Sequence, residues 1–117
     1  MKLQEIKEIL EAEVIYPVDL TLEIKMCCGA DLMSDVLAFI KSDALLLTGL
    51  VNLQVIRTAE MANIKAVCFV RGKEPSNEIV ELAKEKDIHL IMTNFPMYEA
   101  CGRLYQKGLL GCSGCNE

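Results

Sequence analysis

Along this chain, hydrophobic residues recur in two alternating rhythms. Leu3, Ile6, Ile9 and Leu10 stand at helical spacing among Lys and Glu, so residues 2–11 read as an amphipathic helix. Val14 to Tyr16 is a short strand candidate ahead of Pro17, and Leu22, Ile24 and Met26 alternate with Thr21, Glu23 and Lys25 as a strand with one wet face. Asp31 suits the N-cap of a helix whose Leu32, Val36, Phe39 and Ile40 share a side. Ala44 to Leu47 is an apolar run expected of a strand buried on both faces. Asn52 then opens a helix with Leu53, Ile56 and Ala59 on one side, widened by Val55 and Ala62. The rhythm repeats with a buried strand at Ala66 to Val70, a Ser76-capped helix carrying Ile79, Leu82 and Ala83, and a last strand at Ile88 to Met92. Met97, Ala100, Cys101 and Leu104 mark a final helix that Gly108 can stop.

Read in order, the elements are αββαβαβαβα. Strand and helix alternate from Leu22 onward, which predicts an α/β fold: one domain with a mostly parallel sheet and helices on both faces. The domain is expected over residues 1–109, followed by a Cys- and Gly-containing tail over 110–117, in which Gly108, Gly111 and Gly114 serve as spacing.

Composition narrows the function classes. In 117 residues, 52% hydrophobic and 25% charged suit a packed globule, and one core is enough for that length. A formal charge of −5 supplies no basic face, so neither nucleic acid nor an anionic membrane is an expected partner. Apolar runs fall far short of the roughly 20 residues that span a bilayer. Met1-Lys2-Leu3-Gln4-Glu5 lacks the apolar stretch of a signal peptide, and the protein is placed in the cytoplasm. Six cysteines should then remain reduced thiols.

Candidate chemistry collects where parallel strands end and helices begin, because loop amides and helix dipoles converge there. Four segments are expected at that edge: Cys28 to Asp31, Thr48 to Asn52, Arg71-Gly72-Lys73, and Thr93-Asn94. Gly29 and Gly49 permit close approach, Thr and Asn can hydrogen-bond a ligand, and Arg71 or Lys73 can pair with phosphate. The same residues also serve plain structural ends, as turns and caps. Neither standard phosphate loop occurs. His89, the single histidine, falls inside a strand and reads as structural, and no Ser-His-Asp set can be assembled. Asp31 and Asp35 lie four apart on one predicted helix, which a solvated helix start explains without an acid/base pair.

Cys112-Ser113-Gly114-Cys115 has the CxxC spacing of a metal or redox pair. A zinc or iron-sulfur centre needs about four ligands, so Cys27 and Cys28 are the further candidates, while Cys68 and Cys101 are expected to be buried.

The stretch Gly29-Ala30-Asp31-Leu32-Met33-Ser34-Asp35-Val36-Leu37-Ala38, with Leu46-Leu47-Thr48-Gly49 and Gln54-Val55-Ile56-Arg57-Thr58-Ala59, resembles the DRTGG domain over about Leu3 to Leu109. The resemblance implies an accessory α/β domain, regulatory or supporting assembly, of the kind fused to long phosphotransacetylases and to pyrophosphatases containing CBS domains. Stand-alone chains of this kind are similar to small proteins of anaerobes associated with iron-only hydrogenase and other redox components. Carried over by position, the resemblance makes Gly29, Asp31, Thr48, Gly49 and Asn52 candidate binding residues, with Arg57 a weaker addition.

The reading is a non-catalytic, ligand-sensing or assembly module, homodimeric, taking a nucleotide or phosphorylated metabolite and working beside a redox enzyme. The alternative is an iron-sulfur or zinc accessory protein built on Cys27, Cys28, Cys112 and Cys115.

Overall fold

The computed structural model describes residues 1–15 and 19–112. Among these, α1 (Leu3–Leu10), β1 (Glu13–Val14), β2 (Met26–Gly29), α2 (Met33–Phe39), β3 (Ala44–Thr48), α3 (Leu53–Met61), β4 (Ala66–Phe69), α4 (Asn77–Glu85), β5 (His89–Met92) and α5 (Met97–Gln106) follow in the order the sequence predicts. They build one sheet, β1-β5-β4-β3-β2, in which β2 to β5 are parallel and β1 pairs antiparallel with β5.

Side-chain alternation along the strands divides the core in two. Leu45 and Leu47 of β3, Ala66 and Cys68 of β4 and Ile91 of β5 meet α1 and α5 through Leu3, Ile6, Leu10, Ala100 and Leu104. On the opposite face Leu46, Val67, Phe69, Leu90 and Met92 meet α2, α3 and α4 through Val36, Ile56, Ala59, Ile79 and Ala83. The central strands therefore have apolar side chains on both faces and read as unbroken apolar runs. Helices on both sides of the sheet match the expected architecture.

Several helix ends are set as the sequence foretold. Asn52 Oδ1 accepts from Val55 N–H (3.1 Å), and Ser76 Oγ accepts from Ile79 N–H (3.4 Å). Gly108, at φ +102°, ends α5 in a Schellman motif: its N–H donates to Tyr105 O and that of Leu109 to Leu104 O, with Leu109 buried.

Three expectations need correction. The second strand lies later than Leu22–Met26. Ile24 is buried as expected, but Leu22 and Ile24 extend alongside the start of the chain, where Leu3 N–H donates to Leu22 O and Ile24 N–H to Met1 O. The strand that joins the sheet is Met26–Gly29, so Cys28 and Gly29 lie in β2, with Cys27, rather than in the loop after it. Asp31 is not an N-cap; Leu32 occupies that position, without a side-chain cap. Cys101 is half-buried, unlike the fully buried Cys68.

The tail also begins differently from free spacing. Gly111 pairs in parallel with Cys27, and Cys27 N–H donates to Leu110 O (2.9 Å), so its first residues lie along the outer edge of β2. Cys115 falls outside the described residues.

Candidate functional site

Because β2 to β5 are parallel, their carboxyl ends share one edge. There the loop after β2 crosses to the end of β3: Asp31 Oδ1 accepts from the Thr48 hydroxyl (2.9 Å) and from Gly49 N–H (2.8 Å). Thr48 is fully buried, and its Oγ1 in turn accepts from Leu50 N–H (3.2 Å). A strand-end hydroxyl needs a partner once buried. That requirement draws the Asp31 carboxylate across to β3 and away from the α2 amides it was expected to cap. The chain Leu50–Thr48–Asp31–Gly49 holds two crossover loops in one fixed arrangement.

The remaining sequence-nominated residues divide. Asn52 sits on the same loop as Gly49, with its side chain engaged in capping α3. Gly29 is placed by packing rather than by a ligand: a Cβ there would stand 2.8 Å from Cys101 Sγ and 2.9 Å from Met97 Sδ, so its absence lets α5 lie close against β2. Gly49 is different, since a Cβ would meet Asp31 and Val70 only at 3.7–3.9 Å, which is ordinary contact. Arg57 lies on the exposed side of α3, and among the described residues no hydrogen bond or ion pair ties it to the other five.

The next loop adds two exposed cations, Arg71 and Lys73, neither in an ion pair among the described residues. Arg71 takes a left-handed backbone (φ 64°), and its N–H donates to Phe95 O. Gly72, at φ +68°, packs so that a Cβ would fall 2.7 Å from Asn94 Oδ1. Thr93, expected to be available to a ligand, is spent on the fold: its buried hydroxyl donates to Leu10 O at the end of α1 (2.6 Å) and accepts from Phe95 N–H. A terminal helix carbonyl finds its missing partner this way.

His89 Nδ1 lies 3.0 Å from Lys65 O at the opposite end of β5, in keeping with a structural role. Burial raises the thiol pKa of Cys27, Cys28, Cys68 and Cys101, with neighbouring thiols adding to the rise at Cys27, Cys28 and Cys68. Those four thiols are protonated at neutral pH, unlike the depressed thiols of nucleophilic sites. Among the described residues, no group of three or more His, Cys, Asp or Glu side chains is arranged to hold a metal ion. The iron-sulfur or zinc expectation on Cys27, Cys28 and Cys112 thus has no formed site there. Nor, among the described residues, is any helix long and apolar enough to cross a membrane.

A further depression lies elsewhere. An open groove of about 1150 Å³ runs between α1 and α5, lined by Ile9, Tyr98, Gly102, Arg103 and Tyr105 together with acidic Glu8 and Glu11. It contains none of the strand-end residues. Its openness to solvent and its three glutamates, set against Arg103 and Lys107, make it a poorer place for a phosphorylated ligand than the strand ends, where the exposed cations Arg71 and Lys73 lie. Reading apolar spacing identified the helices but not this groove, because Tyr98 and Tyr105 lie on the outer side of α5, where the core pattern is silent.

The comparison with curated proteins finds no match. Among solved structures, the chain is similar to the CBS and DRTGG domains of the regulatory region of Clostridium perfringens pyrophosphatase, a structure complexed with the activator diadenosine tetraphosphate. The TM-score is 0.70 at 19% identity, covering 96% of this chain and 51% of that one, so this chain spans about half its length. The fold is shared at that level. The family model of the DRTGG domain matches residues 5–106, nearly the whole of the described α/β unit. The chain belongs to the DRTGG domain family.

Proposed function

We propose that this chain is a non-catalytic regulatory module that senses a nucleotide or phosphorylated metabolite at the carboxyl ends of β2, β3 and β4. The observation that carries the reading is the Asp31 carboxylate bonded to both Thr48 and Gly49, which fixes two crossover loops beside each other. The carboxyl ends of parallel strands are where α/β sheets take ligands. The second Asp31 oxygen suits a hydroxyl donor such as a ribose, and Arg71 and Lys73 on the neighbouring loop suit phosphate. The regulatory region named for the pyrophosphatase relative, and the nucleotide activator in its complex, support the ligand class.

In this reading the protein works in the cytoplasm as a homodimer alongside a redox enzyme. Exposed Leu32, at the N-cap of α2, with Leu37 and Phe39 of α2, supplies apolar surface for self-association, and sedimentation equilibrium at high micromolar concentration should find a dimer. The ligand claim is tested by titration calorimetry with a nucleotide panel. Wild type and Lys7→Ala, altered on α1, should bind one member alike, whereas Gly49→Val should weaken it at least tenfold. Equal binding by all three proteins would place the ligand elsewhere.

A further inference from the structure

We propose that Cys28 and Cys112 form a redox-modifiable dithiol that fastens the segment after α5 to the edge strand of the sheet. The two residues are 84 apart in sequence (112 − 28), and spacing alone would pair Cys112 with Cys115. The sheet places them otherwise. Gly111 is the parallel bridge partner of Cys27, and Cys27 N–H donates to Leu110 O (2.9 Å), so Cys28 and Cys112 are the residues that immediately follow a bridged pair. Bridged backbones lie about 4.8 Å apart, which starts the two following residues near the roughly 4.4–6.8 Å Cα separation that a disulfide spans. Cys112 Sγ lies 4.0 Å from Cys27 O, the carbonyl of the peptide that joins Cys27 to Cys28. Both cysteines are half-buried, so a small oxidant can reach them, in contrast to the fully buried Cys68.

The reaction is exchange with a low-molecular-weight disulfide, RSSR. Cys112, on the outer segment, attacks as a thiolate, forms the mixed disulfide and expels one RS⁻. Cys28 then attacks the Cys112 sulfur, closes the Cys28–Cys112 bond and expels the second RS⁻. The two protons lost by the cysteines end on two RSH molecules, the protein is oxidised by two electrons, and RSSR is reduced by the same two. Burial and the nearby Cys112 and Cys101 thiols raise the Cys28 pKa, so closure should quicken as the medium becomes more alkaline.

The test treats the full chain with glutathione disulfide at mildly alkaline pH and maps the tryptic peptides by mass spectrometry. The expected product carries no covalent link between chains, lacks two hydrogen atoms and joins peptide 26–41 to peptide 108–117. Fragmentation assigns the bond to Cys28 and Cys112. The link should persist in Cys27→Ser and in Cys115→Ser and disappear in Cys28→Ser and in Cys112→Ser; dithiothreitol should reverse it. A bond within peptide 108–117, a link retained in either Cys28→Ser or Cys112→Ser, cross-linked dimers alone, or glutathione adducts without a protein disulfide would overturn the proposal.

Discussion

Strands β3 and β4 are buried along their whole length, whereas β2, at the edge of the same sheet, is half-buried and ends in the exposed Gly29. The difference separates two jobs. The central pair supplies apolar side chains to both helical layers, mostly Leu, Val, Ala and Phe, with Cys68 and the strand-end Thr48 as the exceptions. The edge strand is made of residues with particular chemistry, two thiols and a glycine, and leads straight into Asp31, which organises the candidate site. Stability therefore concentrates in the central strands, and the candidate chemistry lies at the edge strand and the strand ends.

The strongest way to break this division is to cut into the centre. Leu46→Ala removes a fully buried side chain from between β3 and α2–α3 and should destabilise the protein by about 2–5 kcal/mol, measured as a lower urea midpoint with unchanged slope. A loss below about 1 kcal/mol would mean that the central strand is not the seat of stability. At the margin the effects should be smaller and of another kind. Gly29→Val drives a side chain into Cys101 and Met97 and should cost about 1–3 kcal/mol by overpacking α5 against β2. If it proved neutral, the close approach of α5 would not need the glycine. Smaller again is Asp31→Ala, which strands the Thr48 hydroxyl and Gly49 N–H and should cost about 1 kcal/mol while lowering ligand affinity by a larger factor than it lowers stability. Parallel losses in both quantities would make Asp31 a structural brace alone.

The same division explains what could be read from the sequence. Ala44–Thr48 and Ala66–Phe69 stand out as apolar runs because both their faces are buried, and Asn52, Ser76 and Gly108 announce helix ends because capping is a local bond. β2 escaped because Met26-Cys27-Cys28-Gly29 neither alternates nor forms a strongly apolar run, while Leu22 and Ile24 alternate convincingly and pair with the start of the chain instead. Gly29, Asp31, Thr48, Gly49 and Asn52 could be nominated from strand-end logic. The roles that bind them could not. Asp31 reaching Thr48 is a contact 17 residues away, and Thr93 turning to Leu10 is one 83 residues away, so neither leaves a local signature. The tail's pairing with Cys27 is hidden for the same reason.

The central claim is that ligand recognition belongs to the strand ends and not to the groove between α1 and α5. Amide chemical-shift mapping with a nucleotide selected by calorimetry addresses it most directly, because both locations are observed in one spectrum. The account predicts that the shifts concentrate at residues 29–31, 48–52 and 71–73. Shifts concentrated at Glu8, Ile9, Tyr98 and Tyr105, with the strand-end amides unmoved, would contradict it.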